Sequence, residues 1–423
     1  MATKQIHELQ PVAIATAADR IVVSTGDGNL TRQSQLGNIA VRMPGNGAVD
    51  RRIQTKLADA VSIRDFGAMG DGTTDDAPAF AAAIAAHRSL FIPSGRYRLA
   101  TPVDVPPGRT ILGAGRDDAE IIAEAATAFV FRRNEGAFAI EPSGADDWCR
   151  SKLSGLSIRM TVGGLEVWGH EFRLSDVNFY GGSANGWCID LVDCNECLVE
   201  NVSGGYGGGG YRLFAGGIRF RAAKPGVNYG DSLLSEISLK LGSANTVGIL
   251  LDGSTAGATN WINNMILQRV QVNAPVNGSG MIALAGTVGV KLVNAARINM
   301  LDCGVEVSSI GFEEYSQNTG GTAGACVGNN FIGCITHNCP TSYKDSNSIF
   351  PRSVIQRTFL GCDNMAPLDS SLEATLGRCQ DGDAFFAGAW LFNRQSQPSI
   401  QLRSPQTNVL LVAGDNKGAL QDK

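Results

Sequence analysis

Gly217-Ile218-Arg219-Phe220, followed after a loop by Leu234-Ser235-Glu236-Ile237, is the stretch that decides the fold, because both halves recur. The first half, Gly-apolar-any-apolar, returns as Gly164-Leu165-Glu166-Val167, Gly248-Ile249-Leu250-Leu251, Gly289-Val290-Lys291-Leu292 and Gly311-Phe312-Glu313-Glu314, with Gly186-Trp187-Cys188-Ile189 as a looser copy. The second half sets an apolar anchor before two mostly small or polar residues, and a further apolar residue usually follows. Its anchors are Leu153, Leu174, Val199, Leu234, Leu267, Leu301, Ile332 and Leu360, spaced 21 to 35 residues apart. That is the period range of stacked supersecondary repeats.

Each repeat offers two or three period-two strands broken by Gly, Asn, Asp or Ser, which suits a coil of parallel strands better than a helical or leucine-rich repeat. The expected fold is therefore all-β: a right-handed, single-stranded parallel β-helix, with apolar positions stacked into a continuous core. The repeated Gly marks a place where a Cβ would clash or where φ is positive. At roughly 4.8 Å per strand spacing, eight rungs span on the order of 40 Å.

The 423 residues are too many for one ordinary core but natural for a solenoid, and 52 glycines with 7% aromatics fit a turn-rich β protein. No apolar run is long enough to span a membrane, and no basic stretch followed by an apolar one marks a secretory leader. A net charge of −5 creates no field able to capture nucleic acid. Of the ten cysteines, Cys303, Cys334 and Cys362 share one place in the repeat, so they are expected to be reduced, buried core residues.

Residues 1–45 have a different texture, with Asp19-Arg20-Ile21-Val22-Val23-Ser24, a turn at Gly26-Asp27-Gly28 and Leu30-Thr31-Arg32 reading as a hairpin. After the joint Pro44-Gly45-Asn46-Gly47, residues 46–60 read as a neck helix whose apolar residues Val49, Ile53, Leu57 and Val61 fall every four positions. A helix that short, with one narrow stripe, needs a partner: the rest of the chain or copies of itself. Residues 61–365 would form the β-helix and 366–423 a β-rich C-terminal segment.

Val61-Ser62-Ile63-Arg64-Asp65-Phe66-Gly67-Ala68-Met69-Gly70-Asp71-Gly72-Thr73-Thr74-Asp75-Asp76 leads into an Ala-rich helix with Pro78 in its first turn and Phe80, Ala83, Ile84 and His87 on one face. Such a helix would cap the open end of the coil. This run, that helix and Phe91-Ile92-Pro93-Ser94-Gly95-Arg96-Tyr97-Arg98-Leu99 together resemble the pectate-lyase-like β-helix proteins of phage tailspikes and tail fibres. The resemblance implies a virion protein of the phage tail, made in the host cytoplasm. It implies a homotrimer of parallel rods, anchored to tail or neck proteins through residues 1–45 and engaging a bacterial surface glycan. Spikes on this fold include binders, polysaccharide hydrolases, lyases and purely structural fibres, so fold does not choose among them.

Several groups invite chemistry. Asp71, Asp75 and Asp76 have sufficient local reasons to exist as turn and helix-cap residues. Gly113-Ala114-Gly115 lacks the third glycine of a dinucleotide fingerprint. Cys194-Asn195-Glu196-Cys197 lacks a second pair, and Cys334, His337 and Cys339 lack a fourth ligand. No metal or cofactor is expected. Counting four residues from each Gly aligns Trp168, Asp190, Arg221, Asp252, Val293 and Tyr315 in one column; two residues from each Gly come Glu166, Cys188, Arg219, Leu250, Lys291 and Glu313. On that register Asp190 and Asp252 flank Arg221, about 9.6 Å apart, close to the separation an inverting glycosidase uses. They are the candidate acid and base, with Arg221 tuning them; an ion-pair ladder is the alternative. Tyr206, Tyr211, Trp261, Glu313 and Tyr315, in or beside the longest loops, are the candidate sugar-binding residues.

Overall fold

The computed structural model describes backbone and side chains for residues 40–57, 59–138, 147–205, 213–224, 229–254, 262–273, 283–316, 326–346 and 362. For 20–24, 31–35, 357–360, 401–403, 410–413 and 420–422 it describes the backbone alone. The chain divides into two units, Met1–Val61 and Ser62–Lys423. The expectations placed on Tyr206, Tyr211 and Trp261 lie outside the described residues.

In the first unit, strands Arg20–Ser24 and Thr31–Gln35 pair antiparallel, as a hairpin requires. The neck is less helical than its spacing suggests. Arg51–Arg52 pairs antiparallel with Ala40–Val41, so the helix is confined to Ile53–Leu57. Five residues gain too few intrahelical bonds to offset nucleation, and strand pairing claims what would have been the first turn.

The second unit is a parallel β-helix. Its long sheet runs from Asp71–Asp75 through Lys152–Met160, Arg173–Gly181, Leu198–Gly204, Leu233–Lys240 and Ile266–Asn273 to Arg357–Leu360. A nine-stranded sheet runs from Val103–Val105 through Leu165–Trp168, Trp187–Val192, Gly216–Arg221, Val247–Asp252, Leu284–Val293 and Ser308–Tyr315 to Thr341–Asp345. A short third sheet pairs Tyr229–Gly230, Ile262–Asn263 and Ala295–Ala296. Neighbouring rungs are parallel throughout. Strands Gln401–Arg403, Leu410–Ala413 and Leu420–Asp422 form a separate antiparallel meander.

Strand register explains why the repeat looks as it does. Leu153, Leu174, Val199, Leu234 and Leu267 stack inward and are fully buried. Two residues later the backbone turns through a left-handed position occupied by Gly155, Asp176, Asn201, Glu236, Arg269 and Asp302, with φ between 50° and 73°. This corner is why the pattern tolerates polar or small residues there. The next residue, Leu156, Val177, Val202 or Ile237, returns to the core.

Two slips in the sequence alignment are corrected by this register. Met300 and Phe331 pair with the buried column, so Leu301 and Ile332 face outward, and the backbone of Leu360 pairs with that of Ile332. A shift of one residue reverses every side chain, and here an apolar residue stood on both sides of the strand. Cys303 and Cys334 therefore take the inward place that Val270 holds. Both are free and buried; Cys303 donates to the Leu267 carbonyl at 3.3 Å, Cys334 to Met300 at 3.5 Å and the half-buried Cys362 to Phe331 at 3.2 Å.

The other slip lies in the glycine column. Leu165 pairs with Ile189, and Ile189 with Ile218. The residue aligned with Gly164 and Gly217 is therefore Cys188, not Gly186. The glycines are small because of close approach rather than positive φ. A Cβ on Gly248 would lie 2.5 Å from Val272 Cγ1 and 2.6 Å from the Gly289 carbonyl oxygen.

At the start of the coil, helix Ala77–Ala86 buries Phe80 against Tyr97 and Phe129, with ring centroids 5.8 Å apart in each pair. The acidic cluster serves the backbone. Asp71 accepts from the amides of Thr73 and Thr74, Asp75 from those of Ala77 and Ala100, and Asp76 from those of Met69 and Gly70. These bonds to the ionised form hold Asp71 well below the ordinary carboxylate range. At the other helix end, Arg109 donates from Nε to the Ile84 carbonyl at 3.0 Å, satisfying one orphan acceptor.

Candidate functional site

The outward positions of the nine-stranded sheet form a charged face. Register stacks Glu166, Asp190, Arg219, Leu250, Lys291, Glu313 and Lys344 in one column. Trp168, Val192, Arg221, Asp252, Val293 and Tyr315 form the next. Asp190 thus stands opposite Arg219, in the first column, while Asp252 is opposite Arg221 in the second. The expected Asp190–Arg221–Asp252 ladder is off by two residues at the first member, because small Cys188 fills the place assigned to Gly186.

Asp190 is 7% exposed and held by two guanidinium groups. Arg219 binds it bidentately, Nε to Oδ1 at 2.8 Å and Nη2 to Oδ2 at 2.7 Å. The Nε of Arg221 reaches both oxygens at 3.1 Å. Both carboxylate oxygens are engaged, which holds Asp190 in place as a hydrogen-bond acceptor. Asp252 accepts from the amide of Ser254 at 2.9 Å and from its hydroxyl.

Further along, Glu313 is buried between Lys291 at 3.0 Å and Lys344 at 2.8 Å. Burial pushes its pKa up, but hydrogen bonds from Lys344 and Lys291 outweigh that and hold it below the ordinary value. Tyr315, at the end of the second column, is 36% exposed. Glu314 points inward and is fully buried; Asn329 Nδ2 donates to it at 2.6 Å, and the Tyr343 hydroxyl donates to its other oxygen.

Beside Asp190 the sheet carries a groove of about 320 Å³ lined by Arg132, Arg133, Glu135, Gly136, Ala137, Phe138 and Trp168. Arg132 lies over the Phe138 ring at 5.4 Å, while Arg133 and Arg221 lie 5.5 and 5.7 Å from Trp168. The indole Nε1–H donates to Glu166 at 2.6 Å, orienting the ring. Arg133 is in turn fixed by Asp193 at 3.3 Å, and Asp193 accepts the amides of Ala223 and Lys224. Arg133 Nη2 donates to Glu135 Oε1 at 2.8 Å, while its Nε, 2.7 Å from the other Glu135 oxygen, adds an ion-pair contact without a hydrogen bond. Half-exposed aromatic faces flanked by fixed guanidinium and carboxylate groups form a surface for a flat polyol.

Sequence reasoning placed Trp168 and Glu166 in the columns but did not single them out. The available signal was their two-residue separation on an alternating strand, which puts indole and carboxylate on one face. The groove wall from Arg132 to Phe138 lies before the first anchor of the repeat and carried no comparable signal.

The class that the fold defines is a parallel β-helix. Residues 60–154 match the family described as rhamnogalacturonase A/epimerase, pectate lyase-like. Over 61 residues the chain is 41% identical to the pre-neck appendage protein of Bacillus phage B103 and 36% identical to that of Bacillus phage phi29. Those matches cover 14% of this chain and 7% of each relative. Among solved structures, ORF18 of Geobacillus virus E2 aligns with a TM-score of 0.48 at 14% identity, over 77% of this chain and 66% of that one. The phiAB6 tailspike, solved in complex with oligosaccharides of Acinetobacter baumannii surface polysaccharide, aligns with a TM-score of 0.42 at 17% identity, over 70% and 49%.

Proposed function

We propose that the chain is part of a phage tail appendage that binds a bacterial surface polysaccharide, with the Trp168–Phe138 groove as the contact point for a sugar ring. The observation that carries this reading is the groove itself: two aromatic faces, each with a guanidinium placed over it, beside a carboxylate that holds the indole in position. Sugars present an apolar ring face and a rim of hydroxyls, and this surface matches both. The appendage role draws on the matched phage relatives. Residues 1–45 would dock on the particle, and the helix Ala77–Ala86 would close the end of the coil.

Binding is favoured over cleavage by the state of Asp190. A nucleophile or general base needs a free lone pair, and both oxygens of Asp190 are spent on Arg219 and Arg221. Cleavage with Asp190, Asp252 and Arg221 in the acid–base roles is the second reading, and it requires those guanidinium contacts to open. Oligomerisation is supported by the neck, where Val49 and Leu57 are 69% and 70% exposed. Three copies would cover these side chains about a common axis.

The test is binding of purified host capsule or lipopolysaccharide to the full chain and to Trp168→Ala, with reducing ends assayed in parallel. Affinity should fall at least about tenfold, ~1.4 kcal/mol, with no reducing ends released by either protein. Undiminished binding by Trp168→Ala would remove the groove. Steady release of reducing ends would replace the binding reading with the enzymatic one.

A further inference from the structure

The long sheet carries a second outward face whose chemistry is opposite to that of the charged one. It is bounded by two left-handed corners, at Glu171, Glu196, Asp231, Asn264 and Arg297 on one side and at Asp176, Asn201, Glu236, Arg269 and Asp302 on the other. Between them each rung shows two residues to the outside. The first outward column is Lys152, Arg173, Leu198, Leu233, Ile266, Asn299 and Asn330. The second is Phe91, Leu112, Ser154, Ser175, Glu200, Ser235, Gln268, Leu301 and Ile332.

From Leu198 onward this face holds one charge, Glu200, among Leu233, Ser235, Ile266, Gln268, Leu301 and Ile332. Ile266 is 38% exposed, and nearer the start Phe91 and Leu112 are 41% and 40% exposed. Aliphatic side chains on consecutive rungs of an outward face make a continuous stripe, which marks an interaction surface where scattered single residues would not. Its charges are placed for a symmetric contact. Among the described residues Lys152 and Arg173 on one edge have no carboxylate within ion-pair range. On the other edge Glu200 has no cation, and Asp176 meets Arg116 only at 3.7 Å. These four groups sit on three consecutive rungs.

We infer that this face docks on a second copy of the same chain lying parallel to it, as the inner contact of the oligomer proposed above, on which the inference rests. A partner with the same ~4.8 Å rung spacing keeps step with the aliphatic residues from Leu198 to Ile332 rung by rung. Rotation about an axis along the coil brings the Lys152–Arg173 edge of one copy to the Asp176–Glu200 edge of the next at matching height. The aliphatic column then fills the space between them, and the charged face with its groove stays outward.

Light scattering on the full chain at micromolar concentration tests this. The Leu233→Glu/Ile266→Glu double variant should fall from oligomer to monomer mass with its β circular dichroism retained. Arg159→Glu, on another exposed position of the same sheet, should keep the oligomer mass. As a check independent of folding losses, Gln268→Cys, in the second outward column, should give intermolecular disulfides under oxidation, against a background of largely buried native thiols. An oligomer that survives the double substitution, or a Gln268→Cys protein that does not cross-link, overturns the assignment of this face. A monomeric wild-type chain overturns the oligomer itself and leaves the glycan-binding reading standing.

Discussion

Two columns of the coil look alike in sequence and differ in physics: the glycines that open strands of the nine-stranded sheet, and the corner residues of the long sheet. Both interrupt an apolar pattern with something small or polar. At Gly164, Gly217, Gly248, Gly289 and Gly311 the backbone is ordinary and the restriction is space inside the core. At Asp176, Asn201, Glu236, Arg269 and Asp302 the side chain points to solvent and the restriction is a φ near 50°. One column is fixed by packing and the other by a torsion, so substitutions should separate them.

The largest effect is expected at Gly248. Valine there would place its Cβ 2.5 Å from Val272 Cγ1 and 2.6 Å from the Gly289 carbonyl oxygen, and a backbone carbonyl in a parallel ladder cannot withdraw. Overpacking against a fixed neighbour should cost more than ~3 kcal/mol, seen as loss of the soluble folded protein or a large drop in melting temperature. A Gly248→Val chain that melts within a few degrees of wild type would mean that the glycine column is not a packing constraint.

Much of this was legible because the determinants are local. The existence of the coil and the inward leucines followed from strand alternation. The stacked cysteines followed from their shared place after the corner. What misled was ambiguity at single rungs. Gly186 carries the right residue two positions early, and nothing local says that Cys188 is the small residue the column needs. Leu301 follows Met300 and Ile332 follows Phe331, so either register offers an apolar anchor, and pairing with the previous rung decides. The candidate site inherited the first slip, which is why Asp190 was matched with Asp252 instead of Arg219. The groove depended on a wall contributed by Arg132 to Phe138, a contact between distant segments that alternation cannot encode.

A mid-sized effect should come from the charged face and depend on pH. Glu313 has a folded pKa below its unfolded value, so its ionised form contributes stability above the unfolded pKa, about 4.3, and loses it as pH falls through the folded value. Glu313→Gln should flatten the acid limb of the melting-temperature profile below about pH 4.5. It should also lower stability at neutral pH, because Lys291 and Lys344 lose their shared partner. An unchanged acid limb would show that the Lys–Glu–Lys column is solvated and adds little.

The smallest change is expected at the corner, and it tests the comparison most sharply. Glu236 sits at φ 53° and pairs with Arg269 on an exposed surface. Replacing it with glycine relieves a left-handed cost of roughly 1–2 kcal/mol. The same change makes the unfolded chain freer by about 0.5–1 kcal/mol and removes a surface ion pair worth about 0–1 kcal/mol. These terms nearly cancel, so Glu236→Gly should lie within about 1 kcal/mol of wild type in either direction. Glu236→Val keeps the torsion and adds β-branching, which the left-handed region tolerates poorly, so it should be clearly less stable than Glu236→Gly although its side chain faces solvent. Both columns would then accept glycine and reject valine, but for different reasons: a torsion at the corner, where a non-glycine residue is already tolerated, and contact in the core, where glycine is required. If Glu236→Gly instead destabilised as much as Gly248→Val, the corner would owe its conservation of shape to the Arg269 pair and its neighbours, and the torsional account would fail.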